Sequence, residues 1–157
     1  MNELQNTPRV KEIRPINFLF YRVEVKVKDL ISQVPVANEL FKEAVKLNLH
    51  PTGPIQWHYI GFTGVASKPF LLEICLPVAN VASDYDGSFH FKRTENFKSV
   101  SLVHEGGWDE IQKSYDILKK CVEQHNYQPV GITRELYINA DFTDPQANVT
   151  EIQMGIK

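Results

Sequence analysis

The sequence predicts an α+β fold made of two strand-helix-strand-strand repeats related by a pseudo-twofold axis. They share one antiparallel sheet, with both helices on one face and a ligand cleft at the seam between the repeats. Two observations lead there. The first is self-similarity at an offset of 78 positions: Pro51, Gly53, Tyr59, Ile60, Glu73 and Ile74 meet the same residue types at Pro129, Gly131, Tyr137, Ile138, Glu151 and Ile152. Val25 and Val103, Leu40 and Leu118, Lys42 and Lys120, and Asn48 and Asn126 extend the match upstream. That is about ten identities in about sixty pairs, against about four for unrelated sequence of ordinary composition, and the register is expected to run without a slip. The second is that hydrophobic periodicity changes in the same order in both halves, from two to 3.6 and back to two. The repeats are placed at about 16–78 and 94–156, with a linker at about 80–93, all within a single domain spanning residues 1–157.

In the first repeat, residues 16–28 alternate Tyr21, Val23, Val25 and Val27 against Arg22, Glu24, Lys26 and Lys28, the signature of a half-buried strand. Ser32 offers a helix cap, and Val36, Leu40, Ala44 and Leu47 form a helical stripe that ends before Pro51 and Gly53. Residues 55–62 and 70–78 read as two strands joined through Gly64 and Pro69. The second repeat opens with a strand at 97–105 and continues with a helix from about Trp108 to His125, striped by Ile111, Tyr115, Leu118 and Val122. Asp109 and Glu110 place negative charge where the helix dipole favours it. Strands at 131–139 and 148–156 close the repeat around the Asp144-Pro145 turn. The linker, with Phe89 and Phe91 in alternation, is expected to add a short edge strand.

Strand parity assigns the faces. On 131–139, Ile132, Leu136 and Ile138 are expected to face the helices, leaving Thr133, Glu135, Tyr137 and Asn139 for the other side. Subtracting 78 adds Trp57 and Tyr59 to that second face. A carboxylate among aromatic rings in a partly desolvated setting attracts an organic cation. Tyr115 belongs to the helix stripe and is assigned to the core, while Glu73 and Glu151 read as paired or solvated structural carboxylates.

Composition narrows the function classes. A net charge of -2 leaves no electrostatic footprint for nucleic acid, and no apolar run approaches a membrane span. The polar N-terminal segment has no secretory signal, so a cytoplasmic protein is expected. Cys75 and Cys121 read as reduced thiols. The five histidines show no metal-ligand spacing, and nucleophile-elbow, P-loop and dinucleotide motifs are absent. Neither a metal nor a cofactor is expected.

The order of His104-x-Gly106 before an aromatic and acidic helix start, then Gly131, Glu135-x-Tyr137, Asp144-Pro145 and Thr150-Glu151-Ile152, resembles the GyrI-like, or AraC-type effector-binding, domain. The resemblance runs from about residue 13 to the end and is clearest from residue 103 onward. It implies the duplicated architecture, a small-molecule pocket at the seam and an acidic residue on its floor. Carried over residue by residue, it makes Glu135 and Tyr137 the motif pair and Trp108 the aromatic residue at the helix start. The chain departs from the family's pattern at Ile132, which follows Gly131 where proline is usual, and at Gly155, near the place of a C-terminal proline. A free-standing version without a DNA-binding module is expected. The reading is a protein that senses or sequesters amphipathic, cationic or aromatic compounds through Glu135, Tyr137, Trp57, Tyr59 and Trp108. The alternatives implied by the resemblance are a hydrolase of cyclopropane-bearing electrophiles using Glu135 and Tyr137, and a gyrase-inhibitor-like protein with a protein partner.

Overall fold

A computed structural model describes residues 7–157. In chain order its elements are β1 (Arg9–Ile13), β2 (Asn17–Val25), α1 (Val36–Lys46), β3 (Gln56–Ile60), β4 (Phe70–Pro77), β5 (His90–Arg93), β6 (Phe97–Glu105), α2 (Ile111–Gln124), β7 (Pro129–Asn139) and β8 (Val149–Ile156). All strand pairs described below are antiparallel, and the fold is α+β. Two compact units form: Arg14–Asn96, and Phe97–Lys157 together with β1.

In the unit spanning Arg14–Asn96, the strands run in the order β3-β4-β2-β5. Leu40 and Ala44 are fully buried on α1, which packs against β2 and β4. Strand β2 is shorter than expected. Val27 and Lys28 leave it for a 3-10 segment, Val27–Gln33, held at its start by the Asp29 carboxylate accepting from the Lys26 amide at 2.9 Å. Ser32 does not cap α1: its hydroxyl donates to the Asp29 carbonyl at 2.6 Å, and Pro35 occupies the cap position. Proline's fixed φ suits a helix start whatever the side-chain chemistry before it.

The other unit has the order β1-β6-β8-β7, with α2 against β6. Leu118 and Val122 of α2 join Val100, Leu102, Ile152 and Ile156 in its core. Trp108–Glu110 form a 3-10 turn ahead of α2, so the expected helix start is one tight turn and then an α-helix. Strand β1 was not anticipated. Arg9, Val10, Lys11 and Glu12 are all exposed, so there is no buried face for periodicity to reveal, and charge suits a sheet edge. The expected edge strand in the linker is β5, paired with β2.

Both helices end in the same way. Asn48 (φ 56°) and Asn126 (φ 55°) adopt the left-handed conformation. The next amides, of Leu49 and Tyr127, then donate back to Ala44 and Val122 at 2.8 and 3.0 Å. This is a Schellman ending with asparagine in glycine's usual role. From the helices onward the offset of 78 also describes pairing: Trp57 faces Ile74 and Glu135 faces Ile152, while Tyr59 faces Leu72 and Tyr137 faces Thr150. In the first strand it fails. Val25 faces Phe70, whereas Val103 faces Glu151, the match of Glu73, whose own partner is Arg22. The alignment therefore slips by three positions there, and Val25 and Val103 are not equivalent. The strand-to-helix connection is shorter after β6 than after β2 and absorbs the difference.

Gly155 has a tight local role. A Cβ there would come within 2.7 Å of Val130 Cγ2 and 2.8 Å of both the Ile132 carbonyl oxygen and the Phe97 ring. The bulge in β7 between Pro129 and Thr133, with Gly131 at φ 80°, brings that backbone close.

Candidate functional site

Glu135 sits mid-way along β7 directly opposite Ile152, a member of the core cluster that packs on α2. Its side chain is therefore on the helix face, opposite to the expected assignment. Hydrophobicity misled there because the reverse face of this unit is buried and polar. Ser99, Ser101, Arg134, Glu151 and Gln153 are all less than 9% exposed, and Ile138, expected inside, is 52% exposed.

Glu135 is itself only 7% exposed. One carboxylate oxygen accepts a hydrogen bond from the Tyr115 hydroxyl on α2, and the other accepts from the Tyr137 hydroxyl at 2.6 Å. Tyr115 packs against the core as expected, yet its phenol end belongs to the site. The ring of Tyr137 meets Trp108 edge-on, with centroids 5.7 Å apart and planes at 80°. Trp108 also contacts Phe142 at 5.4 Å, and its indole N–H donates to Thr150 Oγ1 at 2.9 Å. Thr150 is fully buried and faces Tyr137 across the β7–β8 pair, so strand register places the indole beside the phenol.

The turn that presents Trp108 is fixed by His104. The ring's Nε2 lies 2.8 Å from the Gly107 carbonyl, which can only accept, so Nε2 carries hydrogen there. Nδ1 lies 2.8 Å from the Ser114 hydroxyl on α2. One buried imidazole thus ties the end of β6 to the first turns of the helix. Sequence reasoning left this role unassigned, and the only signal for it was His104 standing four residues before Trp108. Thr150 was likewise missed: a partly buried indole N–H needs an acceptor, but nothing local says which.

Trp57 and Tyr59 stand together on β3 in the Arg14–Asn96 unit, rings 6.5 Å apart, and continue into Phe70 and Phe62. In the same unit Glu73 is buried and bonded to Lys92 at 2.6 Å and Arg22 at 2.6 Å. Burial alone would raise its carboxyl, but the hydrogen bonds and charges of Lys92 and Arg22 outweigh that and hold it below the ordinary value. Glu151 accepts from Lys11 and Ser101 at 3.1 Å each and from Gln153 at 2.6 Å. Both are paired carboxylates. A shallow depression of about 590 Å³ near the end of α2, lined in part by Lys119, Glu123 and Tyr127, does not include Glu135.

The family model for the GyrI-like small molecule binding domain matches residues 6–157. This chain belongs to the GyrI-like family. Among solved structures, the C-terminal domain of EcmrR is similar, with a TM-score of 0.80 at 22% identity over 96% of this chain and 97% of that one. In the EcmrR–DNA complex the match has a TM-score of 0.82, and this chain spans 57% of the EcmrR chain. SAV2435, solved bound to tetraphenylphosphonium, has a TM-score of 0.66 at 14% identity, covering 96% of this chain and 94% of that one. A protein from Listeria innocua described as a hydrolase has a TM-score of 0.65 at 12% identity, covering 98% and 93%. No curated protein sequence matches. No described helix is long and apolar enough to cross a membrane.

Proposed function

We propose that this GyrI-like domain binds amphipathic small molecules that carry a positive charge or an aromatic system, with Glu135 as the counter-charge. The observation that carries the reading is a buried carboxylate whose two oxygens are held by Tyr115 and Tyr137, with Trp108 packed on the second phenol. The phenols keep the carboxylate hydrogen-bonded before a ligand arrives and orient it. A delocalised cation then gains charge pairing with Glu135 and about 0.5 to 2 kcal/mol for each good contact with a ring face. Diffuse cations leave water more easily than compact ones, which favours quaternary phosphonium and ammonium compounds over simple amines. The fold likeness to SAV2435, solved with a ligand of that chemistry, supports the same reading.

The two tryptophans, Trp57 and Trp108, make a direct test possible. In a Trp57→Phe background Trp108 is the only indole, and titration with tetraphenylphosphonium is expected to change its emission saturably. Calorimetric binding with no change at Trp108 would place the ligand elsewhere.

The two phenol hydrogen bonds to Glu135 also favour a second reading, hydrolysis of a cyclopropane-bearing electrophile. Glu135 would take a proton from water as the oxygen attacks a ring carbon, Tyr137 would donate its proton to the anion left by the breaking C–C bond, and the proton on Glu135 would pass back along their hydrogen bond to the phenolate. Turnover that Glu135→Gln abolishes while binding persists would establish this chemistry. Binding without turnover leaves the first reading.

A further inference from the structure

We infer that the Arg14–Asn96 unit holds a second, separate site, for a zinc-class divalent metal ion, built from His58, Glu73 and Cys75. The three residues are buried, and one ligating atom from each lies within 4.8 Å of the others. They meet through strand pairing. On β3 and β4, Gln56 faces Cys75 and His58 faces Glu73, so alternation puts all four side chains on one face. The imidazole Nδ1 is already 3.5 Å from Cys75 Sγ. Ligand atoms around a tetrahedral zinc, with bonds of about 2.0 to 2.3 Å, stand about 3.3 to 3.7 Å apart, so small side-chain rotations complete the set.

The imidazole is aimed for this task. Nδ1 lies 3.4 Å from the Lys92 ammonium, which can only donate, so hydrogen resides on Nε2. Nε2 then donates to Gln56 Oε1 at 2.9 Å. An oxygen acceptor on the far ring nitrogen is the arrangement that orients metal-binding histidines. The lone pair therefore points into the space shared with Cys75 and Glu73.

That space already holds a cation. Lys92 Nζ is 2.6 Å from Glu73 Oε1 and lies over the Phe20 ring at 4.8 Å from its centroid. The ammonium stands in for the ion and competes with it. Its side chain is 23% exposed, so the long stem can carry the charge out to water and open a path inward. A thiolate, an imidazole and a carboxylate suit zinc by softness and by charge. Binding displaces the ammonium and sends the Cys75 thiol proton to solvent, leaving two negative ligands on a doubly charged ion.

The test is titration of the reduced, chelator-treated protein with zinc alone against a chromophoric chelator, and in parallel with cobalt(II). One ion per chain is expected, and the cobalt form should show the near-ultraviolet absorption of a thiolate-to-cobalt bond. Cys75→Ser should weaken binding at least 100-fold and remove that absorption. Gln56→Leu should cost about 10- to 100-fold. Lys92→Met should tighten binding at least tenfold by removing the competing ammonium, while Glu39→Gln, at an exposed carboxylate on α1, should leave zinc affinity unchanged. If neither the wild type nor Lys92→Met binds saturably, or if Cys75→Ser binds as well as the wild type, the site does not exist.

Discussion

Replacing Glu73 by glutamine keeps the side-chain volume and removes one buried charge. The wild-type carboxylate is 3% exposed and accepts from Lys92 and Arg22, whose side chains are 23% and 53% exposed. A hydrogen bond to a charged partner contributes about 1.5 to 3 kcal/mol. The Lys92 bond counts near that full range because both ends are largely buried, whereas the half-exposed Arg22 adds less than about 1 kcal/mol after solvent screening. Glutamine retains part of the hydrogen bonding but leaves an uncompensated ammonium beside His58. A net loss of about 2 to 4 kcal/mol is expected, read as a lower urea midpoint at unchanged slope. The pH dependence is a second signature. Because the folded carboxyl lies below its ordinary value of 4.5, its contribution is fully present above that pH and is lost as pH falls through the folded value. Wild type and Glu73→Gln should therefore converge in acid. A difference under about 0.5 kcal/mol at neutral pH, or one that persists undiminished in acid, would refute the reasoning.

Leu118→Ala empties a fully buried position between α2 and the strands, and urea unfolding should report a loss of about 2 to 5 kcal/mol. Gly155→Ala drives a methyl into the Ile132 carbonyl and the Phe97 ring; thermal melts should show a loss of about 1 to 3 kcal/mol, with strain spreading into β7.

The strongest sequence signals were those in which one residue type answers to one structural demand. Leu118 and Val122 recur at helical spacing because α2 has one buried stripe, and that stripe is where it was expected. Asp144-Pro145 marked the turn before β8, where a 3-10 segment, Pro145–Ala147, now stands. Strand β1 was silent because Arg9, Val10, Lys11 and Glu12 are all exposed, so no buried alternation marks it in the sequence. For the site, motif order pointed to Glu135, Tyr137 and Trp108, but parity put Glu135 on the wrong face. That rule assumes that polar side chains seek water, and here Arg134, Glu151 and Gln153 are polar and buried on the opposite face. The hydroxyl of Tyr115 reaches Glu135 from twenty residues away, a contact made by helix-on-sheet packing. His58, Glu73 and Cys75 escaped for a related reason, because cross-strand register brings them together and no local spacing records it.

Ligand binding through Glu135 is the central claim, and calorimetry of the wild type and Glu135→Gln with tetraphenylphosphonium and a neutral triaryl compound tests it most directly. The substitution preserves volume, and its amide can accept from one phenol through Oε1 and donate to the other phenol oxygen through Nε2, so folding should be retained and the lost quantity is the charge. The cation should bind about 5- to 150-fold more weakly to the variant, equivalent to about 1 to 3 kcal/mol, while the neutral compound changes little. Equal affinity of the cation for both proteins would contradict the account and return Glu135 to a purely structural role.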